Sequence, residues 1–169
     1  VAQPFSGYAR QDTKHRGREP FSARLMSDLF TAAGADRLMS VDLHAAQTQG
    51  FFDGPVDHLW AMPILTDYVR SRVDTSNVTV VSPDAGRIRV AEQWAAKLGG
   101  GPLAFVHKTR DVTRPNQAVA NRVVGDVEGR DCVLVDDLIA TGGTIAAAVR
   151  VLLAAGARSV IVAATHGVL

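Results

Sequence analysis

The stretch "VLVDDLIATGGT", residues 133–144, joins an apolar run to two adjacent acids and then to a glycine-rich turn. Continuous apolar character is typical of a strand that is buried on both faces of a parallel sheet. Asp136 and Asp137 end the run, and Thr141-Gly142-Gly143-Thr144 leads into an alanine-rich helical pattern. Ligands of open α/β sheets bind beyond the carboxyl ends of the strands. The stretch therefore predicts both a fold class and the place of a ligand site.

The Thr-Gly-Gly-Thr turn is predicted to receive a phosphate. Unpaired backbone N–H groups and the helix dipole favour an anion at a helix start, and glycines allow a close approach. No Lys follows the glycines, so the turn is not a Gly-x-x-x-x-Gly-Lys nucleotide loop, and its spacing also differs from Gly-x-Gly-x-x-Gly. A phosphate beside two carboxylates suits a sugar phosphate, whose hydroxyls the acids would bind, or a metal that the acids help to hold. The alternative is two solvated aspartates before an ordinary helix cap.

Strand-like and helix-like segments alternate along the rest of the chain, which predicts an α/β fold with a parallel sheet. A domain junction is expected near Pro63, which gives segments 1–63 and 64–169. Each helical pattern ends on a glycine, the usual stop signal. The other strand-like runs are 37–43, 77–82, 102–107 and 159–165, and the helical patterns are 21–34, 88–100 and 144–156.

Composition excludes several classes of protein. Apolar residues make up 47% of the chain and charged residues 21%, which permits a buried core. A net charge of +1 gives no electrostatic case for nucleic-acid binding. Cys132 is the single cysteine, so no disulfide framework exists and a cytoplasmic location is expected. No apolar stretch is long enough to span a bilayer, so no membrane partner is expected.

Four further stretches carry a family resemblance: "YARQD", "VDLHAAQTQGFFDGPVDHL", "VVSPDAGRIRVAEQWA" and "HKTRD". In this order, and with 133–144 as a ribose-phosphate loop, they resemble ribose-phosphate diphosphokinase of the bacterial type, in the phosphoribosyltransferase superfamily. The resemblance implies transfer of the diphosphoryl group of ATP to O1 of ribose 5-phosphate, with release of AMP. It implies two similar phosphoribosyltransferase-like domains and a homo-oligomer, often a hexamer. We expect an internal fragment, in which 1–63 ends the first domain and 64–169 forms most of the second.

The resemblance also assigns roles to single residues. It makes Lys108 and Arg110 the catalytic cations of a mobile flap, and the polar stretch 107–117 reads as a loop. Composition alone would describe the same stretch as a solvated basic loop. The resemblance assigns ribose 5-phosphate binding to Asp136, Asp137, Thr141, Gly142, Gly143 and Thr144.

ATP and Mg²⁺ are the other ligands that the resemblance implies. Arg10 and Gln11 would contact ATP, as would His44, and His44 and Asp84 would be metal ligands. Without the family motif, a lone His is more often structural and an Asp before a helix is more often a cap. Mg²⁺ suits phosphate chemistry, and His is a less usual ligand for it than a carboxylate, so the role of His44 could pass through water.

The ribose-phosphate loop departs from the family pattern at Ala140. Ala140 stands where the loop usually has an acid, Asp-Asp-x-x-Asp-Thr-Gly, and losing a charge-assisted hydrogen bond costs on the order of 1.5–3 kcal/mol. This motivates an alternative, a non-catalytic relative that binds ligand or regulates an active partner. A third hypothesis is a phosphoribosyltransferase that consumes the activated sugar, but "YARQD" and "HKTRD" give it no support.

Overall fold

The computed structural model of the chain describes residues 1–14, 17–110 and 118–168, without the side chains of 108–110 and 118–121. The chain divides into two compact units, Val1–Ala61 and Met62–Leu169. The division therefore lies between 61 and 62, close to the junction expected at Pro63. That the units are parts of two similar domains stays a prediction. No helix in the described ranges is both long and apolar enough to cross a bilayer.

The first unit contains one helix and a small parallel sheet. Helix α1 is Ser22–Ala32, strand β1 is Leu38–Val41 and strand β2 is Val56–Leu59, with a 3₁₀ turn at Ala46–Phe51. The predicted helix over 21–34 and the predicted strand over 37–43 are confirmed with shorter bounds. Strand β2 was not predicted, because its four residues lie in a turn-rich stretch and form a strand only by pairing with β1.

The second unit is built on a five-stranded sheet with the order β5-β4-β3-β6-β7. Strands β3, β4, β6 and β7 are parallel, whereas β5 runs antiparallel at the edge. The predicted parallel α/β fold is therefore confirmed, with one antiparallel edge strand added. The elements are α2 Met62–Arg70, β3 Val78–Ser82, α3 Ile88–Lys97, β4 Leu103–Arg110, β5 Ala118–Val124, β6 Asp131–Ile139, α4 Gly143–Ala154 and β7 Ser159–Gly167.

Burial of both sheet faces explains the continuous apolar runs. Val133 and Val135 of β6 pack in one cluster with Trp94 of α3. Leu134, between them, packs in a second cluster with Leu152 of α4. Successive side chains of a strand point to opposite faces of the sheet, so the β6 side chains on both faces are buried. All five residues of β3 are buried as well, as expected of a central strand.

The loop predicted over 107–117 is wrong for its first part. Residues 107–110 belong to β4, where Lys108 is paired with Ala120 and Arg110 with Ala118 of β5. The polar side chains of these residues suggested a loop. Pairing with the antiparallel strand β5 satisfies their backbone hydrogen bonds, however, and this does not depend on the side chains. The rest of the predicted flap, 111–117, lies outside the described residues.

Candidate functional site

The acid pair lies where the predicted parallel sheet places it. Strands β3 and β6 are neighbours, with Val81 paired to Leu134, so the residues that follow them meet at one edge of the sheet. Asp136 and Asp137 lie just beyond the part of β6 that pairs with β3, two residues before β6 ends, and both are half-buried. The turn after β3, which carries Asp84, therefore runs beside the acid pair.

Asp136 and Asp137 are coupled to each other. The backbone N–H of Asp137 donates to Oδ1 of Asp136 across 2.9 Å. Burial, followed by a side-chain hydrogen bond with Asp137 and the charge of Asp137, raises the pKa of Asp136 to about 7, against the backbone N–H of Asp137, which lowers it. The pair therefore holds one exchangeable proton near neutral pH, and it can both donate to and accept from a polyhydroxyl ligand.

Arg87 is the site residue that sequence reasoning missed. Its Nη2 lies 2.7 Å from Oδ2 of Asp137, and only 18% and 12% of the two side chains are exposed. The guanidinium charge also opposes the rise in the pKa of Asp136. One sequence signal could have revealed it: the stretch "SPDAGR" places an Arg directly before a helix, where a small polar residue is usual.

Asp84 is a capping residue. Its Oδ1 accepts the backbone N–H of Gly86 across 2.9 Å, and it caps a 3₁₀ turn over Ala85–Arg87. The hydroxyl of Ser82 donates to the backbone oxygen of Asp84 across 2.6 Å. The capping alternative is thus confirmed, whereas a metal role for Asp84 stays a prediction. A carboxylate can do both, since it has two oxygens with about four acceptor sites.

The glycine-rich turn begins α4 in the predicted way. Gly142 is the N-cap residue with a left-handed φ of 71°, which a glycine adopts at no steric cost. Within the described part of the chain, no side chain caps this helix start. Thr141, Gly143 and Thr144 are exposed. The first backbone N–H groups of α4 are therefore available to an anion, as the phosphate prediction requires.

The predicted ATP residues of the first unit lie in two stretches. Arg10 and Gln11 are exposed, and Gln11 is held at the start of α1, where its backbone oxygen accepts the N–H of Ala23 across 3.2 Å. The Gln47 side chain donates to Asp12, which ties "YARQD" to the segment that follows His44.

His44 is half-buried. The imidazole of His58 holds the backbone directly before it, at Leu43. Nε2 of His58 accepts the N–H of Leu43 across 2.9 Å, and His58 stacks on Trp60. Burial lowers the pKa of His58, against the opposing charge of Asp42. The neutral imidazole is thus favoured, and only that form has a nitrogen lone pair to accept with.

The two groups of predicted site residues belong to different units. Arg10, Gln11 and His44 are in the first unit, whereas Asp84 and the ribose-phosphate loop are in the second. Lys108 and Arg110 have strand backbones, but their side chains are not described. Across the described residues, no three His, Cys, Asp or Glu side chains are close enough together to hold a metal ion.

Comparison with known proteins adds two family matches. Residues 61–168 match the family described as "Phosphoribosyl transferase domain". Residues 1–34 match "N-terminal domain of ribose phosphate pyrophosphokinase". The first match begins at 61, next to the start of the second compact unit, whereas the other match ends at 34, inside the first unit.

Individual relatives are similar over nearly the whole chain. Proteins named ribose-phosphate pyrophosphokinase from Bifidobacterium longum and Corynebacterium efficiens are 76% and 69% identical over 98% of this chain, and 49% and 51% of their own lengths. A crystal structure of phosphoribosylpyrophosphate synthetase from Mycobacterium smegmatis matches 99% of this chain and 53% of its own, with 60% identity and a TM-score of 0.91. The predicted resemblance is confirmed. The chain spans about half the length of the curated relatives it matches.

Proposed function

Because the chain belongs to the phosphoribosyltransferase domain family, we propose that it contributes ribose 5-phosphate binding and catalytic residues to a ribose-phosphate diphosphokinase. The observation that carries the proposal is the acid pair of β6 followed by an uncapped α4 that begins at a left-handed Gly142. The segment from the end of β6 to the start of α4 therefore offers both acceptors for sugar hydroxyls and amide donors for one phosphate.

The ribose 5-phosphate would bind along 136–144. Its phosphate would accept hydrogen bonds from the backbone N–H groups of Gly143 and Thr144 and from the hydroxyls of Thr141 and Thr144. Asp136 and Asp137 would receive the ring hydroxyls. The partial charge at the start of α4 supplies binding energy for the dianion, so no lysine is needed in the loop.

In the proposed reaction, the O1 hydroxyl of the sugar attacks the β-phosphorus of ATP. The new O1–Pβ bond forms as the bond from Pβ to the α,β-bridging oxygen breaks, AMP departs and the hydroxyl proton is lost. No side-chain nucleophile is required, so positioning and charge neutralisation supply most of the acceleration. Lys108 and Arg110 are the proposed cations for the transferring phosphates.

ATP would be held by Arg10, Gln11 and His44. Arg10 can pair with phosphate or stack on the base, and Gln11 can hydrogen-bond with it. Asp84 and His44 would hold Mg²⁺ together with oxygens of the substrate phosphates. The ion would neutralise charge on the diphosphoryl group. A homo-oligomer, such as a hexamer, and a cytoplasmic location complete the proposal.

The non-catalytic alternative is less favoured. Ala140 motivates it, but relatives named as pyrophosphokinases match 98% of the chain at 76% and 69% identity. The missing acid would lower affinity for the sugar without removing the phosphate-binding turn or the acid pair.

Activity is tested in a protein in which this chain replaces the matching half of the Bifidobacterium longum relative. We expect AMP release that requires both ribose 5-phosphate and Mg²⁺. The unaltered relative and a Lys108→Ala version of the hybrid are the two controls. If the hybrid folds, binds ribose 5-phosphate and releases no AMP while the relative turns over, the chain is a binding module rather than a catalytic one.

A further inference from the structure

Arg87 stands where local structure disfavours it. It is the N-cap residue of α3, and its side chain makes no cap hydrogen bond. Asp84 already caps the 3₁₀ turn Ala85–Arg87 that leads into α3, so the helix start does not need Arg87 as a cap, and a positive charge there opposes the helix dipole. A residue that breaks a local preference usually serves an interaction elsewhere. For Arg87 that interaction is the ion pair with Asp137.

The ion pair joins the two chain segments that form the candidate site. Arg87 comes from the turn after β3, and Asp137 comes from the end of β6, the adjacent strand. Both side chains are largely removed from water, so a separated Asp137 would be a poorly solvated charge. The contact between Nη2 and Oδ2 fixes the direction of the Asp137 carboxyl group.

Asp136 gives this arrangement a chemical consequence. Two neighbouring carboxyl groups share a proton when both are partly buried, and the raised pKa of Asp136 indicates such a pair here. The Arg87 guanidinium, 2.7 Å from Oδ2 of Asp137, gives that carboxylate a charge-assisted hydrogen bond. The site then holds one carboxylate acceptor and one carboxyl group that can donate.

We propose that Arg87 is a positioning residue of the ribose 5-phosphate site, which holds Asp137 as an oriented, charged acceptor for a sugar hydroxyl. Arg87 acts through Asp137 and does not itself contact the sugar phosphate. This inference rests on the proposed function of the same site.

The first test measures ribose 5-phosphate binding to the chain by calorimetry. Arg87→Gln is expected to raise the dissociation constant at least about tenfold, the usual scale for a lost charge-assisted hydrogen bond. Arg87→Lys should recover part of the affinity, because it keeps the charge but not the planar fork. The matched control is Arg89→Gln, which removes the same charge from an exposed position of α3 and should stay within twofold. An Arg87→Gln dissociation constant within twofold of wild type would overturn the inference.

A double-mutant cycle separates positioning from direct contact. If Arg87 acts through Asp137, then Arg87→Gln should change affinity less than twofold in an Asp137→Asn background. If the increases in dissociation constant from Arg87→Gln and Asp137→Asn multiply instead, Arg87 contacts the ligand and the positioning role is wrong. Should Arg87→Gln impair folding, as judged by its thermal midpoint, Arg87→Met carries the test, because it also removes the charge, and wild-type affinity in that variant rejects the role.

The outcomes distinguish this inference from the function beneath it. A wild-type chain that binds no ribose 5-phosphate at millimolar concentration contradicts the proposed site, and the role of Arg87 with it. Wild-type binding that Arg87→Gln leaves unchanged contradicts the role of Arg87 alone.

Discussion

Nε2 of His58 lies 2.9 Å from the backbone nitrogen of Leu43, although the two residues are 15 positions apart. The bond joins the end of β1 to strand β2 and fixes the backbone directly before His44. The other ring nitrogen lies 3.4 Å from the side-chain amide of Gln49. Both edges of the imidazole are therefore engaged, which makes it a structural support for the predicted ATP segment.

His58→Phe is expected to lower the free energy of unfolding by about 1–3 kcal/mol, the cost of leaving a shielded N–H without an acceptor. Phenylalanine keeps a ring to stack on Trp60, so the loss reports the hydrogen bond rather than the packing. His58→Gln is the matched control, because its amide oxygen reaches about as far as Nε2. Urea denaturation of the three proteins measures the difference, and equal losses in the two variants would contradict the role assigned to the bond.

The parallel fold and the glycine-rich turn before α4 could be predicted because their signals are local. The apolar residues of β6 precede its acids directly, and glycines end the helices, as at Gly156 with a φ of 89°. Strand β5 and the last three residues of β4, 108–110, were missed because pairing across an edge, rather than composition, makes them strands. Arg87 was missed for a similar reason. Its partner is 50 positions away, and only the sheet order brings the two together.

Stability should depend on pH through Asp136. Its pKa is raised from 3.8 to about 7 in the folded protein, so the folded state binds a proton that the unfolded chain has lost. Because the folded state binds more protons between these values, the free energy of unfolding should fall as pH rises from about 4 to about 7. Asp136→Asn should remove this pH dependence. The free energy of unfolding of the variant, relative to that of wild type, should therefore be higher at pH 8 than at pH 4.

Urea denaturation across that pH range measures the Asp136 effect. Glu92→Gln is the control, since it removes a carboxylate from an exposed position of α3 in the same unit. Its pH profile should run parallel to that of wild type. A profile of Asp136→Asn that also runs parallel would show that the buried carboxyl group does not hold the proton.

The two glycines of the turn should respond differently to alanine. Gly142 has a left-handed φ of 71°, so Gly142→Ala should cost about 1–2 kcal/mol of unfolding free energy and displace the phosphate-binding amides. Gly143 is the first residue of α4, and a Cβ there would meet only the Thr141 hydroxyl oxygen, at 3.8 Å. Gly143→Ala should therefore be neutral or stabilising by up to about 1 kcal/mol. Equal losses by guanidinium denaturation would show that φ at Gly142 is not what the turn requires.

Ala140→Asp should tighten ribose 5-phosphate binding. Ala140 is exposed between the acid pair and the phosphate turn, so a carboxylate there can reach a bound sugar without first being buried. One added charge-assisted hydrogen bond is worth about 1.5–3 kcal/mol, or roughly 10- to 100-fold in the dissociation constant. Ala140→Asn is the control that adds the shape without the charge, and it should gain less.

The added charge also lies near Asp136 and a phosphate dianion, which would each repel it. Calorimetry at two salt concentrations weighs these effects: a gain that grows with salt identifies repulsion as the limit, and a weaker Ala140→Asp complex at both would mean that the alanine suits this loop better than the usual acid.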